Sequence, residues 1–278
     1  MAKIIATHNN PDLDAICSIW LLKKFDPSFE KATIVLVPAG TTYKNQKTDE
    51  NDGIVHVDVG LGKFDHHQTS KRTCAAELVF NYLKSKFKYL KKDKALVRLI
   101  KVVNDIDHFS ECLWPNPEAD YFNFLLPDVL DGLKISGKLD DQGLIEYGSM
   151  LLEGVYSKIK IKVKAEENLK EGYEFTTKWG KAIGMLTHNN NVLKLGLKTG
   201  YIIVIQKDGN TEHVRIKARP KSPVDLTEAE NKLKKLDPKA TWFLHKSKKM
   251  LLNGSSKNPE MRPSSLSLKK VIEVVEGL

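Results

Sequence analysis

A two-domain α/β protein is predicted by three features of the chain: a parallel-sheet N-terminal domain and a smaller α+β C-terminal domain. Short apolar runs alternate with helical patterns through the first half, which is the signature of a parallel sheet covered by helices. Acidic and imidazole side chains fall where those runs end. After Gly180 the pattern changes to short β-like runs separated by polar turns. The expected domains are 1–165 and 174–278.

The elements follow in order. "KIIATH" is a short apolar strand ending at His8, and "PDLDAICSIWLLKKF" continues it as a helix that opens with Asp12 and Asp14. "KATIVLVPAG" is a second buried strand, "TTYKNQKTDENDG" a polar loop, and "IVHVDVG" a third strand ending at Asp58 and Gly60. "TCAAELVFNYLKSKF" and "KALVRLIKVVNDID" are helices. Residues 140–171 form a long charged helix, although "KIKIKVK" alternates like a strand. In the second domain "KAIGMLTH", "VLKLGLK", "YIIVIQKDG" and "EHVRIKARP" are β-like, "TEAENKLKKL" is a helix, "ATWFLH" a strand and "SLSLKKVIEVVEGL" a closing helix. No internal repeat stands out.

Composition narrows the class. With 278 residues, 41% of them hydrophobic, the chain can bury the cores of two modest domains. No apolar run is long enough to span a membrane, and no secretion signal is visible, so a cytoplasmic protein is expected. Three cysteines without CxxC spacing read as reduced thiols, not as a disulfide frame or zinc site. The net charge of +9 is uneven: residues 174–278 carry 20 Lys+Arg against 10 Asp+Glu, and the remainder carries 24 against 25. A basic back half suggests a phosphate-rich partner.

Ligands of parallel sheets bind beyond the carboxyl ends of the strands. His8, Asp12, Asp14, Asp58, Asp65, His66, His67, Asp105 and Asp107 all belong to segments expected at that edge. Singly, Asp12 or Asp14 reads as a helix N-cap and Asp58 as a turn residue. Together they crowd several carboxylates into one place, which is costly without cations. Imidazole and carboxylate ligands suit manganese, iron, cobalt or zinc better than calcium. Two such ions about 3.5–4 Å apart could share a carboxylate and activate water against a phosphoryl group.

"HNNPDLDA", "VDVG" and "FDHH", with a later aspartate after an apolar helix, resemble the successive motifs of the DHH phosphoesterase superfamily over roughly the first 110 residues. The compact "VDVGLGKFDHHQT" is most similar to its RecJ-like and Myg-like branches. The resemblance implies a DHH-type catalytic domain with two divalent ions, expected to be Mn2+. His8 and Asp12 would hold the first ion and Asp14 the second. Asp58 would bridge both, and His66 and a late aspartate would complete the second site. Between Asp105 and Asp107, the Myg-like pattern favours Asp107. His67 would act on the substrate phosphate, with Asp65 orienting a histidine.

The superfamily's glycine-rich substrate loop is missing here. "LHKSKKMLLNGSSKNP" stands in its place, offering His245, Lys246, Ser247, Asn253, Gly254, Ser255 and Lys257 as a phosphate cradle, with Arg215 and Arg219 of "RIKARP" beside it. The expected activity is a metal-dependent phosphodiesterase or exonuclease acting on short or single-stranded nucleic acid. The alternatives are a pyrophosphatase or other phosphoanhydride hydrolase, and a non-catalytic nucleic-acid-binding protein with a structural metal. Oligomeric state stays open, a homo-oligomer included.

Overall fold

The computed structural model describes residues 3–255 and 257–278. The chain divides into two compact units, Met1–Ile159 and Lys160–Leu278. The first holds β1 (Ile4–His8), α1 (Leu13–Phe25), β2 (Thr33–Val37), β3 (Ile54–His56), α2 (Ala75–Lys86), α3 (Lys94–Asp107) and α4 (Leu126–Ile135). The unit boundary falls inside α5 (Asp141–Lys170). The second unit continues with β4 (Tyr173–Thr177), β5 (Gly180–Leu186), α6 (Asn191–Lys198), β6 (Ile203–Lys207) and β7 (Val214–Ala218). It closes with α7 (Thr227–Leu236), β8 (Phe243–Leu244), β9 (Met250–Asn253) and α8 (Leu268–Glu276).

In the first unit the sheet order is β2-β1-β3, all parallel, with His8 opposite Val37 and Ala6 opposite His56. The sheet core continues into α1, which is buried from Leu13 to Leu22 and joins α2 and α3 through Ile16, Ile19, Val79, Leu83, Leu96 and Leu99. A helix apolar on all sides is stable only when covered on all sides. Its start is fixed by Asp12, whose carboxylate accepts from the Asp14 and Ala15 N–H groups at 2.9 and 3.0 Å.

The second unit is a six-stranded sheet ordered β4-β5-β6-β7-β9-β8, antiparallel except for the parallel pair β5 and β6. One core lies under α7 and α8, and a smaller one gathers Ile183, Val192, Leu193 and Val204 around α6.

Several elements differ from the sequence reading. The strand expected to reach Asp58 and Gly60 stops at His56, because Asp58 turns to a left-handed φ of 56°. "VLKLGLK" is the helix α6, whose apolar residues Val192, Leu193 and Leu195 pack against Ile183 and Val204 of the sheet and Ala165 of α5. Its alternation over seven residues fits both periods. The strand-like "KIKIKVK" is helical within α5. "ATWFLH" is extended only at Phe243–Leu244, and β4, β9 and α4 are elements that the sequence pattern does not separate.

Helix α3, which carries Asp107, starts at Asp93. That carboxylate accepts from the Ala95 and Leu96 N–H groups at 3.0 and 2.9 Å and from the Tyr156 hydroxyl at 2.5 Å. Asp93→Ala is expected to lower unfolding free energy by about 1–2 kcal/mol, the cost of a lost cap, in urea denaturation.

Candidate metal centre

The carboxyl ends of β1 and β3, the start of α1, the turn after β3 and the end of α3 meet at one edge of the first sheet. β1 delivers His8. Its Nδ1 lies 2.8 Å from the Asn9 carbonyl, which can only accept, so Nδ1 carries the proton. Nε2 then faces the Asp58 carboxylate at 3.2 Å. It either bears a second proton or offers its lone pair to a cation.

Asp58 is the centre of the cluster. It leaves β3 in the left-handed region, which aspartate tolerates better than most residues, and its backbone N–H donates to the Phe64 carbonyl at 2.9 Å. The side chain is buried, with Oδ2 toward His8 and Oδ1 3.4 Å from His66 Nε2. Oδ1 itself is buried without a hydrogen bond. An orphaned carboxylate oxygen in a buried position is expensive unless a proton or cation meets it.

His66 Nε2 is also 3.8 Å from both Asp14 Oδ2 and Asp107 Oδ2. Asp14 is buried in the first turn of α1, where it accepts from the Ala75 and Ala76 N–H groups at 2.7 and 2.8 Å. It therefore caps α2 as well as facing the cluster, so the capping role and the cluster role coexist in one side chain. Asp105, two residues before Asp107, instead pairs with Arg72 at 3.0 Å.

Three groups of ligand atoms result: His8, Asp12 and Asp58; Asp14, His66 and Asp107; and Asp58, His66 and His67. Within each group the atoms lie within 4.8 Å of one another. Three imidazoles and four carboxylates, with Asp58 common to the first and third groups and His66 to the second and third, fit borderline divalent ions. Such a set could hold them with His8, Asp12 and Asp58 on one side and Asp14, His66 and Asp107 on the other. Asp65 is buried beneath: it accepts from the Leu61 N–H at 2.7 Å and the His67 N–H at 3.0 Å, and holds His67 Nδ1 at 2.7 Å. His67 is left 60% exposed with that ring nitrogen fixed.

Charge explains the titration of the cluster. The hydrogen bond to Asp58 raises His8 to about 9, and the same carboxylate raises His66 to about 9. Burial and the neighbouring carboxylates push Asp12 and Asp107 upward and Asp14 to about 7. Burial also opposes ionisation of Asp58, but the neighbouring His66 and His8 imidazoles hold it below the usual range.

The sites of the second unit are less unified. His245, Lys246 and Ser247 occupy the turn between β8 and β9, where the Ser247 hydroxyl lies 2.9 Å from His245 Nδ1. Gly254, Ser255 and Lys257 lie past the opposite end of β9. Arg215 joins that end by donating from Nε to the Gly254 carbonyl at 3.2 Å. Arg219, beyond β7, donates to the Leu197 carbonyl at 3.3 Å. Asn253 is fully buried, its Nδ2 donating to the Thr241 and Arg262 carbonyls. The single cradle expected from the sequence is thus divided by the four residues of β9, which the local pattern presents as loop.

Sequence reasoning missed the support of the "HNNPD" turn. Asn10, at φ 58°, donates its N–H to Asp141 Oδ2 at 2.7 Å, and Lys134 reaches both Asn10 and Asp141. Nothing in the local pattern of α4 or α5 announces those contacts.

Residues 5–159 match the family model described as ChrB, C-terminal domain. The chain belongs to the ChrB C-terminal domain family. The matched span ends where the first unit ends. This family model is not one of the DHH superfamily that the motifs resemble. No curated protein matches the chain. Among solved structures it is similar to RecJ with Mg2+ from Thermus thermophilus, at 12% identity and a TM-score of 0.35 over 99% of this chain and 49% of that one. RecJ with Mn2+ from the same organism gives 11% and 0.34, over 99% and 52%. A DHH domain described as a member of the s1p family of ribosomal proteins gives 12% and 0.32, over 98% and 85%. The chain spans about half the length of the two RecJ chains. Similarity this low carries no function across to the ChrB-family chain. No helix of the described residues is long and apolar enough to cross a membrane.

The titration shifts have a testable sign. In chelator, groups with raised values stabilise the fold below their unfolded values and lose that stabilisation as pH rises through the folded ones. For His8 and His66 the window is about pH 6.5 to 9. The melting temperature in EDTA should fall across that window, and saturating Mn2+, which replaces the imidazole protons, should flatten the dependence in calorimetry.

Proposed function

We propose that the first unit is a divalent-metal hydrolase centre that cleaves phosphodiester bonds of short or single-stranded nucleic acid, with two Mn2+ ions as its cofactor. The observation that carries the reading is Asp58: a buried carboxylate between His8 and His66, one oxygen unbonded, shared between two groups of candidate ligands. Bound there, the ions would polarise a phosphoryl oxygen and make water a nucleophile at neutral pH.

The chain's own residues supply the rest. Asp65 accepts the Nδ1 proton of His67, which fixes the ring and leaves Nε2 as the group that would face the phosphate, donating to it in the doubly protonated form of the ring. The cavity of about 410 Å³ at the centre is lined by His8, Asp58, His66 and His67 on one side and by Ala39, Gly40, Val59 and Leu61 on another. None of its lining residues is Lys or Arg. That favours an ester bearing one charge per phosphate over pyrophosphate, whose extra charge calls for cations. The basic second unit supports a nucleic-acid substrate, since phosphate contacts dominate such binding. Arg215, Ser255 and Lys257 at one end of β9, and His245, Lys246, Ser247 and Arg219 toward the other, are the proposed substrate contacts.

Manganese-dependent hydrolysis of labelled RNA, matching DNA, a cyclic dinucleotide and pyrophosphate tests the reading. Asp58→Ala is expected to abolish turnover while leaving the circular dichroism unchanged. His67→Ala should lower kcat by about 10²–10⁴-fold. Full activity of Asp58→Ala would remove the metal assignment, and exclusive cleavage of pyrophosphate would remove the phosphodiester reading.

A further inference from the structure

The two units share a turn. In the first, β1 ends in Thr7-His8-Asn9-Asn10 and α1 follows; in the second, β5 ends before Thr187-His188-Asn189-Asn190 and α6 follows. Each turn lies at the carboxyl end of a strand with a parallel neighbour. Each ties back to the last residue of that neighbour, Asn9 N–H to the Val37 carbonyl at 2.8 Å and Thr187 N–H to the Lys207 carbonyl at 2.9 Å. The carboxyl edge of a parallel pair is a ligand position in both cases. The repeat is too short to stand out in the sequence.

The charges around the two turns are opposite. After the first come Asp12 and Asp14; α6, after the second, carries Lys194 and Lys198 and no acid. Arg215, half-buried on β7, donates from Nη1 to Asn190 Oδ1 at 2.6 Å and so joins β7 to the turn. Lys217 lies two residues further on the same face of β7, since Val214, Ile216 and Ala218 point into the core. Burial, Arg215 and Lys194 together hold the Lys217 ammonium below its usual range. Burial also lowers Arg215, while Asp208 opposes that shift.

Among the described residues, none of Lys194, Arg215 and Lys217 forms an ion pair. Asp208 feels the charges of Arg215 and His188, and it is buried with its Oδ1 accepting from the Asn210 and Thr211 N–H groups. Glu212 is engaged by Lys207. Three neighbouring cations that form no ion pair, with Asp208 as the acid that acts on Arg215, repel one another as the crowded carboxylates of the first unit do, and an anion offsets that. Arg215 and Lys217, two strand residues apart, are separated by about 6.7 Å along the strand, enough for one phosphate each.

We propose that the face of β7 and α6 bearing Lys194, Arg215 and Lys217, with His188 at its edge, binds successive phosphates of a single-stranded nucleic acid. This deepens the nucleic-acid reading given above and rests on it for the choice of ligand. The Lys246 and His245 turn at the other end of the sheet is not part of this face.

Fluorescence anisotropy of the full chain with a fluorescein-labelled single-stranded RNA, in EDTA and from 50 to 200 mM salt, tests it without turnover. Lys194→Gln, Lys217→Gln and Arg215→Gln should each weaken binding several-fold and reduce the slope of log K against log salt by about 0.7. Lys269→Gln, on an exposed position of α8, should change neither. Arg215→Gln also removes two hydrogen bonds of the fold, so the exposed Lys194 gives the cleaner measurement. Unchanged affinity and slope in Lys194→Gln and Lys217→Gln, an equal loss in Lys269→Gln, or no RNA binding by the parent chain would each overturn the proposal. Absence of hydrolysis would defeat the catalytic reading and leave this binding result standing.

Discussion

Four carboxylates drawn to one sheet edge set the terms for the first unit. Asp12, Asp14, Asp58 and Asp107 come from the start of α1, the turn after β3 and the end of α3; His8 and His66 stand among them, with His67 3.8 Å from Asp58 and His108 3.3 Å from Asp107. The four carboxylates outnumber the two imidazoles, His8 and His66, that are set among them. The surrounding architecture holds this arrangement against repulsion. Asp12 and Asp14 are anchored as helix caps, Asp58 is held by the Phe64 carbonyl at its backbone, and Asn10 is tied to Asp141. Capping alone does not account for Asp58, whose Oδ1 is buried without a hydrogen bond; a divalent cation would.

The second unit presents the mirror problem. Its sheet is mixed, yet it keeps one parallel pair, and the turn leaving that pair repeats the Thr-His-Asn-Asn of the first. Here the side chains that gather are Lys194, Arg215 and Lys217. On the proposed reading, a centre for cations in one unit and a face for phosphates in the other would both serve a polyanionic substrate. Each is recognised by the same physical sign: like charges packed more closely than water-exposed surfaces require.

Much of the first unit was legible because its signals are local. The strand "KIIATH", the capped helix after it and the period of α3 lie within short windows. The spacing of His8, Asp12 and Asp14 identifies a turn at a strand end. Asp107 lies 3.8 Å from His66, while Asp105 pairs with Arg72, a difference that helical phase alone could not show. The second unit was harder to read. "VLKLGLK" satisfies the strand period as well as the helix period, and its burial against Val204 decides the outcome. The four residues of β9 looked like loop because the hydrogen bonds that make them a strand come from β7 and β8, outside any short window of sequence. With β9 in place, the expected phosphate cradle is divided. Arg215 keeps its place near a cationic face, in the company of Lys194 and Lys217, which belong to no motif of the sequence.

The central claim is that the first unit holds two divalent ions around Asp58. The most direct measurement is the number of Mn2+ ions bound per chain at equilibrium, by dialysis and elemental analysis, with electron paramagnetic resonance to detect coupling between ions. The account predicts two coupled ions in the parent chain and loss of the coupled pair in Asp58→Asn. A single isolated ion, no ion, or the same coupled pair in Asp58→Asn would contradict it.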